Sequence, residues 1–137
     1  MRKWNGWGDE STDFPANPGI KSFLRQELGD SGALRDASRD EVIATVPPSR
    51  LPSHPLVSVD PWLRVLHARG QSLPDWLALR SGHMAPFPDG VAEPATSAEV
   101  QDLLAWAKAG DVTVIPYGGG TSVAGHINPL AGRRPVL

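Results

Sequence analysis

The chain has 137 residues, and its 14 Gly and 14 Pro make up roughly 20% of it, against an average near 12%; this predicts about one domain's length of short elements joined by turns. The glycines have no three-residue period, and 40% hydrophobic residues with 5 Trp argue against disorder, so neither a collagen nor a disordered tail fits. A net charge of -2 supplies no cationic field for nucleic acid or anionic lipid, zero cysteines remove disulfides, thiolate metal sites and cysteine nucleophiles, and no apolar run reaches the ~20 residues of a membrane helix or forms a signal peptide.

A soluble, cytoplasmic protein is therefore expected. Residues 1–19 show no period of 2 or 3.6 and read first as a frayed leader. Trp4 and Trp7 oppose that reading, because an indole carries a large apolar area that wants cover. The leader is expected to dock on a surface that this chain need not itself supply. Residues 20–28 place Ile20, Phe23, Leu24 and Leu28 on one helical face, with Gly29 suited to a left-handed stop. Ser38 and Glu41 form a capping box before Val42, Ile43 and Val46, and Pro47 and Pro48 end that helix. The proline-rich stretch after it reads as a linker or wrapping segment. Asp60 caps a helix with Pro61 at its first position and Trp62, Leu63, Val65 and Leu66 as its buried stripe, predicted to run to Gly70. A second short helix over residues 74–79 stops at Gly82.

Beyond residue 84 the pattern is strand, helix, strand. Residues 90–92 form a brief strand cut off by Pro94. Thr96 and Glu99 make another capping box, and Val100, Leu103, Leu104 and Ala107 recur at helical spacing up to Gly110. Residues 112–115 are rich in β-branched side chains and predict a buried strand, the parallel neighbour of residues 90–92 across a right-handed crossover. The predicted fold class is α+β: an N-terminal helical and extended region over residues 1–83, then a βαβ unit over residues 84–137.

The second strand runs into Gly118, Gly119 and Gly120, then Thr121, Ser122 and, beyond Val123 and Ala124, Gly125. A plain tight turn needs only one glycine. Four in eight positions let the backbone approach a ligand closely, and successive N–H groups with the two hydroxyls suit a pyrophosphate. Two familiar phosphate motifs fail: His126 and Ile127 stand where a Walker A motif needs Lys and Ser or Thr, and Val123 stands where the dinucleotide fingerprint needs its third glycine. A serine hydrolase elbow is nearly spelled around Ser122, yet no Asp or Glu follows it, so Ser122 reads as a ligand-binding or turn hydroxyl. His54, His67, His83 and His126 have no metal-ligand spacing; His126 alone sits at the loop rim, within reach of a phosphate or a flavin edge.

The run Pro88-Asp89-Gly90-Val91, Pro94, Glu99-Val100 and Ile115-Pro116-Tyr117-Gly118-Gly119-Gly120-Thr121-Ser122-Val123 resembles the FAD-binding domain of the vanillyl-alcohol-oxidase (PCMH-type) flavoproteins, and most of all the alkyldihydroxyacetonephosphate synthases and their bacterial FAD-linked oxidase relatives. Lys3-Trp4-Asn5-Gly6-Trp7-Gly8, His67 to Gly70, and Leu77 to Gly82 extend the resemblance, while residues 32–55 carry little of it. The resemblance implies non-covalent FAD whose pyrophosphate is wrapped by Pro116, Tyr117, Gly118, Gly119, Gly120, Thr121 and Ser122. His126 departs from the family, where a second glycine often follows Gly125.

The resemblance also implies that residues 135–137 enter a further strand, and that the second FAD subdomain, the cap domain and the catalytic residues lie in parts this chain lacks. No catalytic residue is assigned, and the isolated chain is expected to bind FAD weakly or not at all. The implied activity is that of an FAD-dependent oxidoreductase or alkylglycerone-phosphate synthase; the alternative is a non-catalytic fragment or interaction module that pairs with a separately encoded remainder of the enzyme.

Overall fold

The computed structural model describes residues 3–6, 8–11, 14–30, 32 and 35–137; Trp7 lies outside them. Five helices and one two-stranded sheet succeed one another in these residues: α1 (Pro18–Leu28), α2 (Arg39–Ile43), β1 (Val57–Ser58), α3 (Pro61–Leu66), α4 (Leu73–Ser81), β2 (Val91–Ala92) and α5 (Ser97–Ala109). The architecture is α+β, as the sequence predicts. No helix among the described residues is long and apolar enough to cross a membrane.

Helix starts follow side-chain chemistry. Ser38 and Thr96 close the two predicted capping boxes with Glu41 and Glu99, and Asp60 accepts from the Leu63 amide ahead of Pro61. Two caps come in addition to those read from the sequence: Asn17 accepts from Ile20 N–H at the start of α1, and Ser72 forms a capping box with Asp75 at the start of α4. Gly82 ends α4 in the left-handed conformation. Helix α3 stops at Leu66 and not near Gly70, with His67 as its C-cap residue. Gly70 is engaged elsewhere.

The core gathers Val42 of α2, Val65 and Ala68 around the end of α3, Leu79 of α4, and Met84 and Phe87 beyond it, with Trp4, Val46, Trp62 and Trp76 packed at its margin. Trp4 meets Trp62 edge to face at 5.9 Å between ring centres, and the Arg39 guanidinium lies 4.2 Å from the Trp62 ring centre. The surface that covers Trp4 is therefore supplied by this chain. Helix α1 buries none of its residues. Its apolar face is present as predicted and lies exposed.

The sheet differs from the sequence reading. Strand β2 pairs antiparallel with β1, Val57 opposite Ala92 and Ser58 opposite Val91, so the proline-rich wrapping segment supplies its partner. Residues 90–92 and 112–115 are not neighbours, because residues 135–137 lie between them. The amides of Asp89 and Gly90 donate to Val136 O at 2.7 and 3.3 Å; on the other side Thr113 pairs in parallel with Val136, Thr113 N–H bonds to Pro135 O, and Ile115 N–H to Leu137 O. With only this short segment on one edge, Val114 stays exposed and Ile115 half-buried, where the β-branched run predicts a buried strand.

One carboxylate fastens the junction. Asp89 is 3% exposed and accepts from Arg50 N and Nε at 3.1 and 2.8 Å on one oxygen, and from Arg50 Nη2 and Val136 N at 2.7 and 2.8 Å on the other. Arg64, also buried, donates through Nε to Pro88 O and through Nη1 to Pro47 O, tying α3 to both flanking segments.

Candidate functional site

The glycine turn leaves residues 113–115 through Pro116 and Tyr117 and stands on the segment that joins α3 to α4. Tyr117 turns back beneath it: its hydroxyl donates to Leu66 O at 3.2 Å, and its ring lies 4.5 Å from that of His67. Gly120 is buried at φ 68°, and a Cβ there would collide with the Tyr117 hydroxyl and ring. Only glycine suits that position. At Gly118 a Cβ would meet nothing within 4 Å, and at Gly119 only the Thr121 methyl at 3.9 Å. The outer side of the turn is thus open to an approaching ligand.

Among the described residues, the amides of Gly118, Gly120, Thr121 and Ser122 donate to no protein acceptor. Gly118, Gly119 and Thr121 are exposed and Ser122 is half-buried. These four undirected N–H groups, with two hydroxyls and no carboxylate, are a donor set for an anion, and the bare backbone at Gly118 and Gly119 allows close contact. The residues present fit a pyrophosphate. Ser122 Oγ lies 3.1 Å from His126 Nδ1, so the rim histidine engages the loop's own hydroxyl. The hydrogen bond His126 makes is to Ser122 Oγ and not to a carboxylate, so the pair lacks the acid of a hydrolytic triad.

Sequence reading missed what holds the loop from below. The Ser122 carbonyl accepts from Gln71 N at 2.6 Å, and a Cβ on Gly70 would strike that same carbonyl. Gly70 N donates to Asn128 Oδ1 at 3.0 Å, and Asn128 Nδ2 donates to Asp75 Oδ1 at 2.6 Å. The other Asp75 oxygen takes Ser72 N at 3.0 Å and Ser72 Oγ at 2.6 Å. Burial pushes the Asp75 carboxyl up, but hydrogen bonds from Ser72 and Asn128 and the charge of Arg69 outweigh it and hold the group below the usual carboxylate range. The available signal was Ser72-x-x-Asp75, a capping box with an aspartate in place of the glutamate seen at the other two.

Beside the loop, a cavity of about 610 Å³ opens between α5 and residues 114–118. Val91, Val100, Leu103, Leu104, Ile115 and Val136 make its wall chiefly apolar, and of the predicted site it takes in Pro116, Tyr117 and Gly118 only. Half of the α5 stripe, Leu103 and Ala107, is buried, while Val100 and Leu104 stay exposed toward this space. No group of three or more potential metal ligands occurs among the described residues.

A family model described as an FAD binding domain matches residues 88–131, a span that contains the whole glycine turn and Asn128. The chain is 26% identical over 168 aligned positions to alkyldihydroxyacetonephosphate synthase of Trypanosoma brucei brucei, covering 98% of this chain and 27% of that protein. It is 35% identical over 75 positions to the synthase of Dictyostelium discoideum, covering 55% of this chain and 12% of that one. A solved structure of alkyldihydroxyacetonephosphate synthase superposes with a TM-score of 0.73 at 26% identity, over 98% of this chain and 31% of the other. The resemblance read from the sequence stands: the chain carries an FAD binding domain match and is similar to these synthases over most of its own length, while spanning less than a third of theirs.

Proposed function

We propose that this chain binds FAD, with Pro116, Tyr117, Gly118, Gly119, Gly120, Thr121 and Ser122 around the pyrophosphate, as the N-terminal part of an FAD-dependent oxidoreductase or alkylglycerone-phosphate synthase-like enzyme. The observation that carries this reading is that the amides of Gly118, Gly120, Thr121 and Ser122 donate to no protein acceptor among the described residues, beside backbone that is open at the Cβ position of Gly118. In it, residues 84–137 supply the loop and residues 1–83 supply the surface beneath it. Thr121 and Ser122 would offer hydroxyl donors to phosphate oxygens, and the Tyr117 ring serves as the floor that keeps Gly120 in its left-handed turn.

FAD supplies two-electron redox chemistry when bound, and this chain contributes the binding and orientation of its phosphates. The parent chemistry is exchange of an acyl for an alkyl chain on a glycerone phosphate ester, or oxidation of a 2-hydroxy acid. Binding to the isolated chain is weak, because one glycine-rich loop contacts only the middle of a long dinucleotide. Thermal melting with added ligand tests this. FAD at a concentration equal to its dissociation constant stabilises by about 0.4 kcal/mol and lifts the midpoint by roughly 1–2 °C, while riboflavin, which has no pyrophosphate, does not. An equal shift with riboflavin, or none with millimolar FAD, overturns the assignment of the loop. Flavin retained at one per chain through dialysis overturns the weak affinity.

A further inference from the structure

We propose that Asp75 and Asn128 are positioning residues that set the shape of the glycine loop from the start of α4, and with it the loop's affinity for the FAD pyrophosphate; the affinity half of this inference rests on the function proposed above. Neither side chain belongs to the turn. Asn128 lies six residues beyond Ser122, and Asp75 lies in the first turn of α4.

Their hydrogen bonds form a directed relay. Gly70 N–H donates to the Asn128 carbonyl oxygen, the Asn128 amide nitrogen donates to one Asp75 oxygen, and the second Asp75 oxygen accepts from Ser72. Gly70 N–H fixes which way the Asn128 carboxamide faces, and Asp75, an acceptor only when ionised, requires that same orientation. Residues 70 and 71 are then held between two ties, Gly70 to Asn128 and Gln71 N–H to the Ser122 carbonyl. The turn is clamped before and after its glycines, since Tyr117 bonds to Leu66 on its near side. Asp75 is 3% exposed, so water does not replace a lost partner at no cost.

The accounting makes a sharp set of variants. Asp75→Asn leaves one donor facing another in every orientation: with its nitrogen toward Asn128 the two amides oppose each other, with its oxygen there the nitrogen opposes Ser72 N–H, and flipping Asn128 only moves the conflict to Gly70 N–H. Asn128→Asp sets two carboxylates against each other where a 2.6 Å hydrogen bond stood. The double variant Asp75→Asn/Asn128→Asp restores every bond in the relay: the carboxylate placed at position 128 accepts from Gly70 N–H and from the carboxamide nitrogen placed at position 75, and the oxygen of that carboxamide still accepts from Ser72.

The test measures two quantities on the full chain: the FAD dissociation constant by titration, and amide hydrogen exchange at Gly70 and Gln71 without ligand. Each single variant is expected to speed exchange at both amides about tenfold and to weaken FAD about tenfold, with exchange in α2 unchanged, and the double variant to return both to about wild-type values. Single variants that leave exchange at Gly70 and Gln71 untouched, or a double variant that fails to restore it, overturn the proposal. Should a single variant unfold, the double variant alone decides on the same exchange criterion. Wild-type chain that takes up no FAD while exchange follows the expected pattern sinks the FAD reading and leaves the relay's control of the loop standing.

Discussion

Gly118 and Gly120 are two residues apart and answer to different demands. Gly120 is a folding requirement, with φ at 68° and the Tyr117 ring where a Cβ would stand. Gly118 has empty space at its Cβ and no left-handed φ. Gly120→Ala is therefore expected to cost roughly 2 kcal/mol or more, from the left-handed backbone and the collision together, and to lower the melting midpoint by about 5–10 °C. Gly118→Ala is expected to leave the midpoint within about 2 °C, or to raise it slightly by restricting the unfolded chain, while on the proposed mode of binding the methyl group would stand in the ligand's path and weaken FAD about tenfold. Melting curves and FAD titrations of the two variants separate fold from site. The glycine triplet is legible in the sequence as one unit; the division of labour within it is not, since it depends on where the Tyr117 ring lies, and that is set by Leu66 and His67 some fifty residues away.

The elements were legible where the determinant was local. Ser38 with Glu41 and Thr96 with Glu99 sit three residues apart and needed no tertiary partner to mark a helix start. Strand neighbours are a non-local property, and there the reading failed: residues 133–137 show no alternation that would place them between residues 90–92 and 112–115, and β1 lay hidden in a segment whose prolines read as linker. Asp89 is what makes the observed arrangement hold, because its carboxylate joins Arg50, Val136 and its own segment. Burial pushes the Asp89 carboxyl up, but Arg50 and the Val136 amide outweigh it and hold the group below its ordinary value of 3.8. A depressed carboxyl contributes stability in full above its unfolded value and loses it as pH falls through the lower folded one. Stability is thus expected to fall below about pH 4. Asp89→Asn should cost on the order of 3 kcal/mol at pH 7 and flatten, though not abolish, the acid limb of the midpoint-against-pH curve, since Asp75 is depressed in the same direction. An unchanged acid limb in that variant would exclude Asp89 as its source.

At the scale of the whole molecule, α1 and α5 show why an apolar stripe predicts a helix and not its partner. Both stripes recur at helical spacing, and both helices form; α5 buries Leu103 and Ala107, whereas α1 buries nothing and leaves Phe23 at 61% and Leu28 at 80% exposure. Periodicity records which residues share a face, and burial depends on what the rest of the chain brings to that face. The core around Val65, Leu79 and Met84 therefore carries the stability, and α1 adds little to it. Truncating Leu79 to Ala, at 4% exposure, is expected to cost about 2–5 kcal/mol. Phe23→Ser/Leu28→Ser is expected to change stability by less than about 1 kcal/mol, because neither side chain loses buried contacts, and to reduce self-association by removing exposed apolar area. Denaturant unfolding and sedimentation velocity of the two proteins, compared with wild type, check both statements. A loss for the α1 variant as large as that for Leu79→Ala would mean that α1 is packed in solution, and the stability of the chain would then have to be credited to two packed regions in place of one.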